Sequence, residues 1–195
     1  MDTGYRIRDQ YLTYFVTFTV VGWVDLFTRR QCRDIIIASL KYCQDKKGLI
    51  IYAYVVMESH VHLILSARDD STGLSAIIRD FKKFTSRELY NWIEGNPKES
   101  RRDWLKIIFE YHAKFNANNT HFQIWQQHNR PQLCLQPRFL QQKLDYIHRN
   151  PVKAGIVDDP ADFVYNSARN YANRKDYILD VKVLEFGFDI GGIGF

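Results

Sequence analysis

The hydrophobic positions of this chain alternate between a strand period and a helix period. "YLTYFVTFTVVGW" (11–23) is β-branched and aromatic throughout and reads as a strand. Over 28–48 the apolar residues recur at helical spacing, with Thr28 as the expected N-cap and Gly48 as the stop. "LIIYAYVVM" (49–57) is apolar on both faces, which predicts a central strand. "HVHLILSA" (60–67) is a third strand, and the short "ES" between the two predicts a tight antiparallel hairpin.

A second helix is expected over 71–93, with Ile77, Ile78, Phe81, Phe84 and Leu89 as its apolar stripe. Residues 95–103 read as a loop, 104–115 as a shorter helix, and 121–135 as mixed strand and turn. An amphipathic helix follows at 137–150, with Pro137 in its first turn and Pro151 just past its end. A late strand is expected at 177–185.

The order β-α-β-β-α-β predicts a ferredoxin-like α+β sandwich. Its antiparallel sheet carries helices on one face, with extra C-terminal helix and loop elements, and the other face is free to host a site. Residues 1–176 read as one domain, with an inserted stretch around 94–120. Residues 177–195 read as a C-terminal strand and a weakly ordered tail, "EFGFDIGGIGF".

Composition narrows the class. Of 195 residues 46% are hydrophobic and 15% aromatic, enough for a real core. The net charge of +5 and a pI of about 9.0 suit an anionic partner, nucleic acid above all. Three widely spaced cysteines with no CxxC indicate neither a disulfide framework nor a zinc knuckle, and fit a reducing, cytoplasmic setting. The polar N-terminus reads as no signal peptide, and no apolar run approaches a membrane span.

The chemistry begins at "MESHVHLIL" (57–65). Residues two apart in a strand share a face, so His60 and His62 project together while Val61, Leu63 and Leu65 turn toward the helices. Two neutral imidazoles side by side are a natural pair of metal ligands. Zinc has no HExxH or cysteine partner here, and Mg²⁺ or Mn²⁺ would need oxygen ligands to complete the shell. In "KLDYIHRNPVKAG" (143–155) the helical period puts Tyr146 and Asn150 on one face. A tyrosine can serve as a covalent nucleophile, and an asparagine oxygen can reach a cation. Taken singly, each motif is an ordinary surface feature.

Together, "ESHVHLIL", "FKKFTSREL" and "DYIHRNPVKAGIV", in that order, resemble the REP-associated tyrosine transposases of the HUH single-tyrosine superfamily. The similarity runs from about Tyr11 to Tyr171. It implies a ferredoxin-like fold, with His60 and His62 as metal ligands around the bulky Val61, Tyr146 as nucleophile, and Asn150 as an auxiliary ligand. The implied reaction is transesterification of single-stranded DNA through a 5′-phosphotyrosine with a free 3′-OH. The stretch at 94–120 and the tail after about 176 depart from the family pattern.

Lys82, Lys83 and Arg87, read as the exposed side of the second helix, are candidate phosphate contacts, as are Arg6 and Arg8 near the N-terminus. The expected partner is single-stranded or hairpin DNA; the chain alone leaves a homodimer, and use of Tyr146 in cis or in trans, open. "YNSARNYANRK" (165–175) suits either base stacking or C-terminal packing. Glu58 reads as a turn residue. His112, His121 and His128 read as ordinary surface or core residues, and His148 as pointing away from the Tyr146 face. Three rivals are distinguishable. A rolling-circle initiator or relaxase would share the chemistry but not the NPVKAG context. A nucleic-acid-binding module would need neither metal nor Tyr146, and a metal-dependent hydrolase would leave no covalent adduct.

Overall fold

A computed structural model describes residues 6–117 and 121–186. Its centre is a four-stranded antiparallel sheet in the order β2-β3-β1-β4. The strands are β1 (Tyr14–Thr19), β2 (Leu49–Val56), β3 (His60–Ala67) and β4 (Gln132–Leu133). The helices are α1 (Arg30–Lys47), α2 (Leu74–Gly95), α3 (Arg102–Ala113), α4 (Pro137–Lys153) and a single turn, α5 (Ala168–Tyr171). Among the described residues no helix is long and apolar enough to cross a membrane.

The expected ferredoxin-like α+β sandwich is present, and β3 is buried on both faces. β2, expected as a central strand, is instead an edge of the sheet, its apolar run covered by α1 on one face and α4 on the other. The Met57 amide donates to the His60 carbonyl across Glu58 and Ser59, closing the two-residue hairpin. The backbone carbonyls of those two turn residues accept from Phe27 and Val20, tying the hairpin tip to the β1–α1 connection. Gly48, left-handed at φ 73°, ends α1 as predicted, its amide bonded to the Cys43 carbonyl. Thr28 does not cap α1. Its hydroxyl donates to the Asp25 carbonyl in a 3-10 turn, and the helix begins at Arg30.

The fourth strand differs from expectation. Residues 177–185 form no strand. They run past β2 with one backbone bond, Lys182 N–H to the Ile51 carbonyl, and bury Leu179 and Val181. The free edge of β1 is paired instead by the two residues of β4, Tyr14 opposite Leu133 and Phe15 opposite Gln132. Pro151 also lies inside α4 rather than beyond it, and Gly155 at φ 68° follows the helix end. A proline this near the C-terminus deletes one helical hydrogen bond and leaves the last turn intact. The tail at 187–195 lies outside the described residues.

α1 and α2 pack together over one sheet face, where Phe18 meets Phe81. Along α2 the buried stripe is Ile77, Ile78, Phe81, Thr85 and Leu89. Phe84, expected in that stripe, is exposed; Thr85 takes its place, donating to the Phe81 carbonyl and accepting from the Trp125 indole. Residues 94–117, most of the expected insertion, are built onto this layer. Glu99 is buried between Arg29 (2.6 Å) and Arg101, which also reaches Asp25, and Tyr90 stacks on Phe122 at 3.9 Å. The Arg29 guanidinium, with bonds from Arg101, holds the Glu99 carboxyl down at about 2. α4 crosses the opposite sheet face, against β2 and β3.

Candidate active site

The site is built on the α4 face of the sheet. β1 and β3 pair so that Thr17 lies opposite His62 and Thr19 opposite His60. Paired residues share a face, so both imidazoles stand beside the threonines of β1 while Val61 and Leu63 join the core under α1 and α2. The His60 and His62 rings lie edge to face, with centroids 4.6 Å apart.

His62 is 5% exposed and touched on three sides. Phe15 stacks on its ring at 5.4 Å. The Thr17 hydroxyl lies 2.8 Å from its Nδ1, and the Tyr146 phenol oxygen 3.3 Å from its Nε2. Burial, then the charges of His60 and Lys143, pushes His62 down to about 3, and burial lowers His60 as well. Both imidazoles are therefore neutral at physiological pH, with lone pairs available to a cation.

Tyr146 stays 38% exposed while its ring edge meets His62 and Phe15. Lys143 and Lys153 place their ammonium groups 5.9 and 5.7 Å from the Tyr146 ring centroid, and Lys143 also lies over Phe15. Asn150, one turn on from Tyr146, makes no side-chain hydrogen bond among the described residues; its carbonyl accepts from Ala154. A phenol, two neutral imidazoles and two ammonium groups thus meet on one side of the sheet in a single chain, with the Asn150 carboxamide one helical turn from the phenol.

The donor set fits a divalent cation. Thr17 occupies His62 Nδ1 and leaves Nε2 facing Tyr146, the arrangement in which a second partner fixes the ring of a metal-binding histidine. His60 has Nδ1 beside the Ser59 hydroxyl at 3.2 Å. Two nitrogens and the Asn150 oxygen would leave positions for phosphate oxygens, which suits Mn²⁺ or Mg²⁺. Among the described residues no group of three or more His, Cys, Asp and Glu side chains could enclose a metal by itself.

The basic candidates are dispersed. Lys82 is not on an exposed face: its ammonium is turned inward, donating to the Gln126 carbonyl and to Asn129 at 2.7 Å each, and burial lowers it to about 8. Lys83 and Arg87 are exposed on α2, across the sheet from Tyr146, with Arg87 lying over Phe84 and beside Glu88. Arg6 and Arg8 are exposed ahead of β1.

The segment 165–175 is packing. Asn166, Ser167, Arg169 and Asn170 are buried, and Ser167 Oγ accepts from the Tyr54 amide. His148 bonds Ser167 Oγ at 3.0 Å and packs on Tyr171, away from the Tyr146 face. The residues missed by sequence reasoning are Phe15, Thr17, Lys143 and Lys153. A β1–β3 register would have found the first two. The i−3 and i+7 positions around Tyr146 would have found the lysines.

The ferredoxin-like sheet thus presents paired imidazoles to a tyrosine on a crossing helix. The chain belongs to the family of IS200-like transposases, whose sequence model matches residues 11–119. That match includes both histidines and ends before α4. A Haemophilus influenzae protein named "Putative REP-associated tyrosine transposase" is 28% identical over 131 residues, 66% of this chain and 64% of its own length. This chain thus matches a little under two thirds of that relative. The solved structure of a REP-associated tyrosine transposase bound to a REP hairpin shares the fold. Its TM-score is 0.59 at 22% identity, and 96% of each chain is covered.

Proposed function

We propose that this protein is a metal-dependent single-stranded DNA endonuclease and strand transferase acting on hairpin-forming DNA, with Tyr146 as its nucleophile. The observation that carries the reading is the 3.3 Å approach of the Tyr146 oxygen to His62 Nε2 within one chain. Membership in the IS200-like family and the fold shared with a hairpin-bound relative support it.

His60, His62 and Asn150 would hold the cation. When bound, Mg²⁺ or Mn²⁺ would neutralise charge on the scissile phosphate and ease loss of the phenolic proton. The remaining work falls to the chain itself. Thr17 and Phe15 hold the His62 ring so that its Nε2 stays aimed at Tyr146. Lys143 and Lys153 flank the phenol and meet the phosphate charge. The Tyr146 oxygen attacks phosphorus and gives up its proton to solvent. The bond from phosphorus to the 3′-oxygen breaks, and that oxygen leaves as a hydroxyl after taking a proton from solvent. The products are a 5′-phosphotyrosine and a free 3′-OH, so the ester energy is retained for rejoining. Arg6, Arg8, Lys83 and Arg87 are proposed as outlying contacts to the phosphates of a duplex stem.

The test is covalent capture. The protein is incubated with end-labelled hairpin oligonucleotides bearing single-stranded flanks, with Mg²⁺ or Mn²⁺, then denatured. A labelled adduct that maps to Tyr146, vanishes with EDTA and is lost in Tyr146→Phe is expected. Cleavage with no adduct would instead indicate hydrolysis by activated water, and an adduct on another residue would overturn the nucleophile assignment.

A further inference from the structure

Trp23 stands at the rim of the imidazole pair, and the strand-transfer chemistry leaves it without a role. Its indole is 62% exposed, whereas Trp125 is 4% exposed in the core. The indole lies edge to face with His60, centroids 5.7 Å apart. The rings thus run in order from Trp23 to His60, from His60 to His62 at 4.6 Å, and from His62 to Tyr146 at 5.1 Å. The metal-binding pair lies between an exposed indole at one end and the nucleophile at the other.

The backbone holds Trp23 there against its own preference. Gly22 has φ 63° and Trp23 φ 55°, two consecutive left-handed residues. Glycine adopts this region freely, but a bulky aromatic does so only where its surroundings impose it. The surroundings here are specific. The Val20 amide donates to the carbonyl of Ser59, the residue before His60, and Val21 donates to Ile124. Trp23 itself donates back to the Val20 carbonyl at 3.1 Å, with Val21 and Val24 buried on either side. The strained turn is fastened to the hairpin that carries His60, yet the side chain it presents contributes little to the core.

The geometry points to Trp23 as the stacking platform for an unpaired nucleobase next to the scissile phosphate. A strand whose phosphate lies over His60 and His62 carries its neighbouring base past the indole, opposite to Tyr146. Among the described residues the only ring that meets the indole is His60, and it does so edge to face, so a flat face remains for a base. Base–aromatic stacking needs no particular sequence, because every base has a π-face. The inference rests on the strand-transfer reading of the same site.

The experiment is an abasic scan. Hairpin oligonucleotides with single-stranded flanks on both sides, each lacking one flank base, are titrated against protein carrying Tyr146→Phe so that binding stays reversible. One flank position is expected to lose about tenfold in affinity when its base is removed. Trp23→Gly fits the left-handed turn without strain, so it should fold at least as stably as the parent, read by its melting temperature. On the intact probe Trp23→Gly should bind about tenfold more weakly, with no further loss on the probe lacking that base. Trp23→Tyr should restore most of the affinity. Unchanged binding by Trp23→Gly, or a loss that adds undiminished to the abasic loss, would overturn the platform. It would leave an indole that only holds the His60 ring. If the parent chain captures the probe covalently while Trp23 proves silent, only the platform falls; if the parent neither binds nor captures it, the strand-transfer reading falls too.

Discussion

The two faces of one sheet are built to opposite rules. Under α1 and α2, Val16, Phe18, Val61, Leu63 and Leu65 are buried among aliphatic and aromatic partners. Under α4, the same strands present Thr17, His60 and His62, and the helix answers with Tyr146 and Lys143. Adjacent residues of β3 serve one face or the other in strict turn, so a single strand carries both the core and the chemistry. The dry face supplies the stability that allows the polar face to keep a buried and a half-buried imidazole, both unprotonated, beside a cation-rich helix.

Substitutions should separate the faces. The largest effect is expected on the polar side: Tyr146→Phe should lower covalent capture of hairpin DNA by about a thousandfold or more while leaving thermal stability nearly unchanged. The dry side should behave inversely. Leu63 is fully buried, so Leu63→Ala should destabilise the fold by about 2–5 kcal/mol in denaturant titrations. Per folded molecule, its capture rate should stay close to the parent's.

Glu99 tests how firmly the helical stretch after α2 is fastened to the dry side. Glu99→Gln should cost about 1–2 kcal/mol, toward the low end for a buried ion pair because Arg29 is 41% exposed. The folded carboxyl sits near 2, below its ordinary 4.5. Its contribution is thus complete above about pH 4.5 and is lost as pH falls toward 2, and the parent's excess stability over Glu99→Gln should fade across that window.

A smaller change is expected at Thr17. Thr17→Val keeps the shape but removes the oxygen beside His62 Nδ1, so cation affinity should fall by about tenfold by calorimetric titration. The smallest should come from Lys83→Ala and Arg87→Ala, across the sheet from Tyr146. Each should weaken hairpin binding no more than a few-fold, with a salt slope shallower by about one.

Much of this division can be read from the chain, because it depends on short periods. The period of two in "HVHLIL" separates His60 and His62 from the core residues, and the period of 3.6 sets Tyr146 over Asn150. What depends on distant partners does not show. Thr17 becomes a neighbour of His62 only through the β1–β3 register. Lys82 reads as a solvated charge because its acceptors, Gln126 and Asn129, come more than forty residues later. Residues 177–185 have the composition of a strand, but the β1 edge is already occupied by Gln132 and Leu133. Trp23 reads as the end of an extended run because the left-handed turn at Gly22 is imposed by Ser59 and Ile124 from outside.

Whether one chain supplies both halves of the site is most directly tested by mixing Tyr146→Phe protein with His62→Ala protein and assaying covalent capture of labelled hairpin DNA. With the phenol 3.3 Å from the imidazole of its own chain, the mixture should capture no more DNA than either variant alone. Capture restored by mixing would show that the tyrosine serves a partner's histidines, and would contradict the single-chain site.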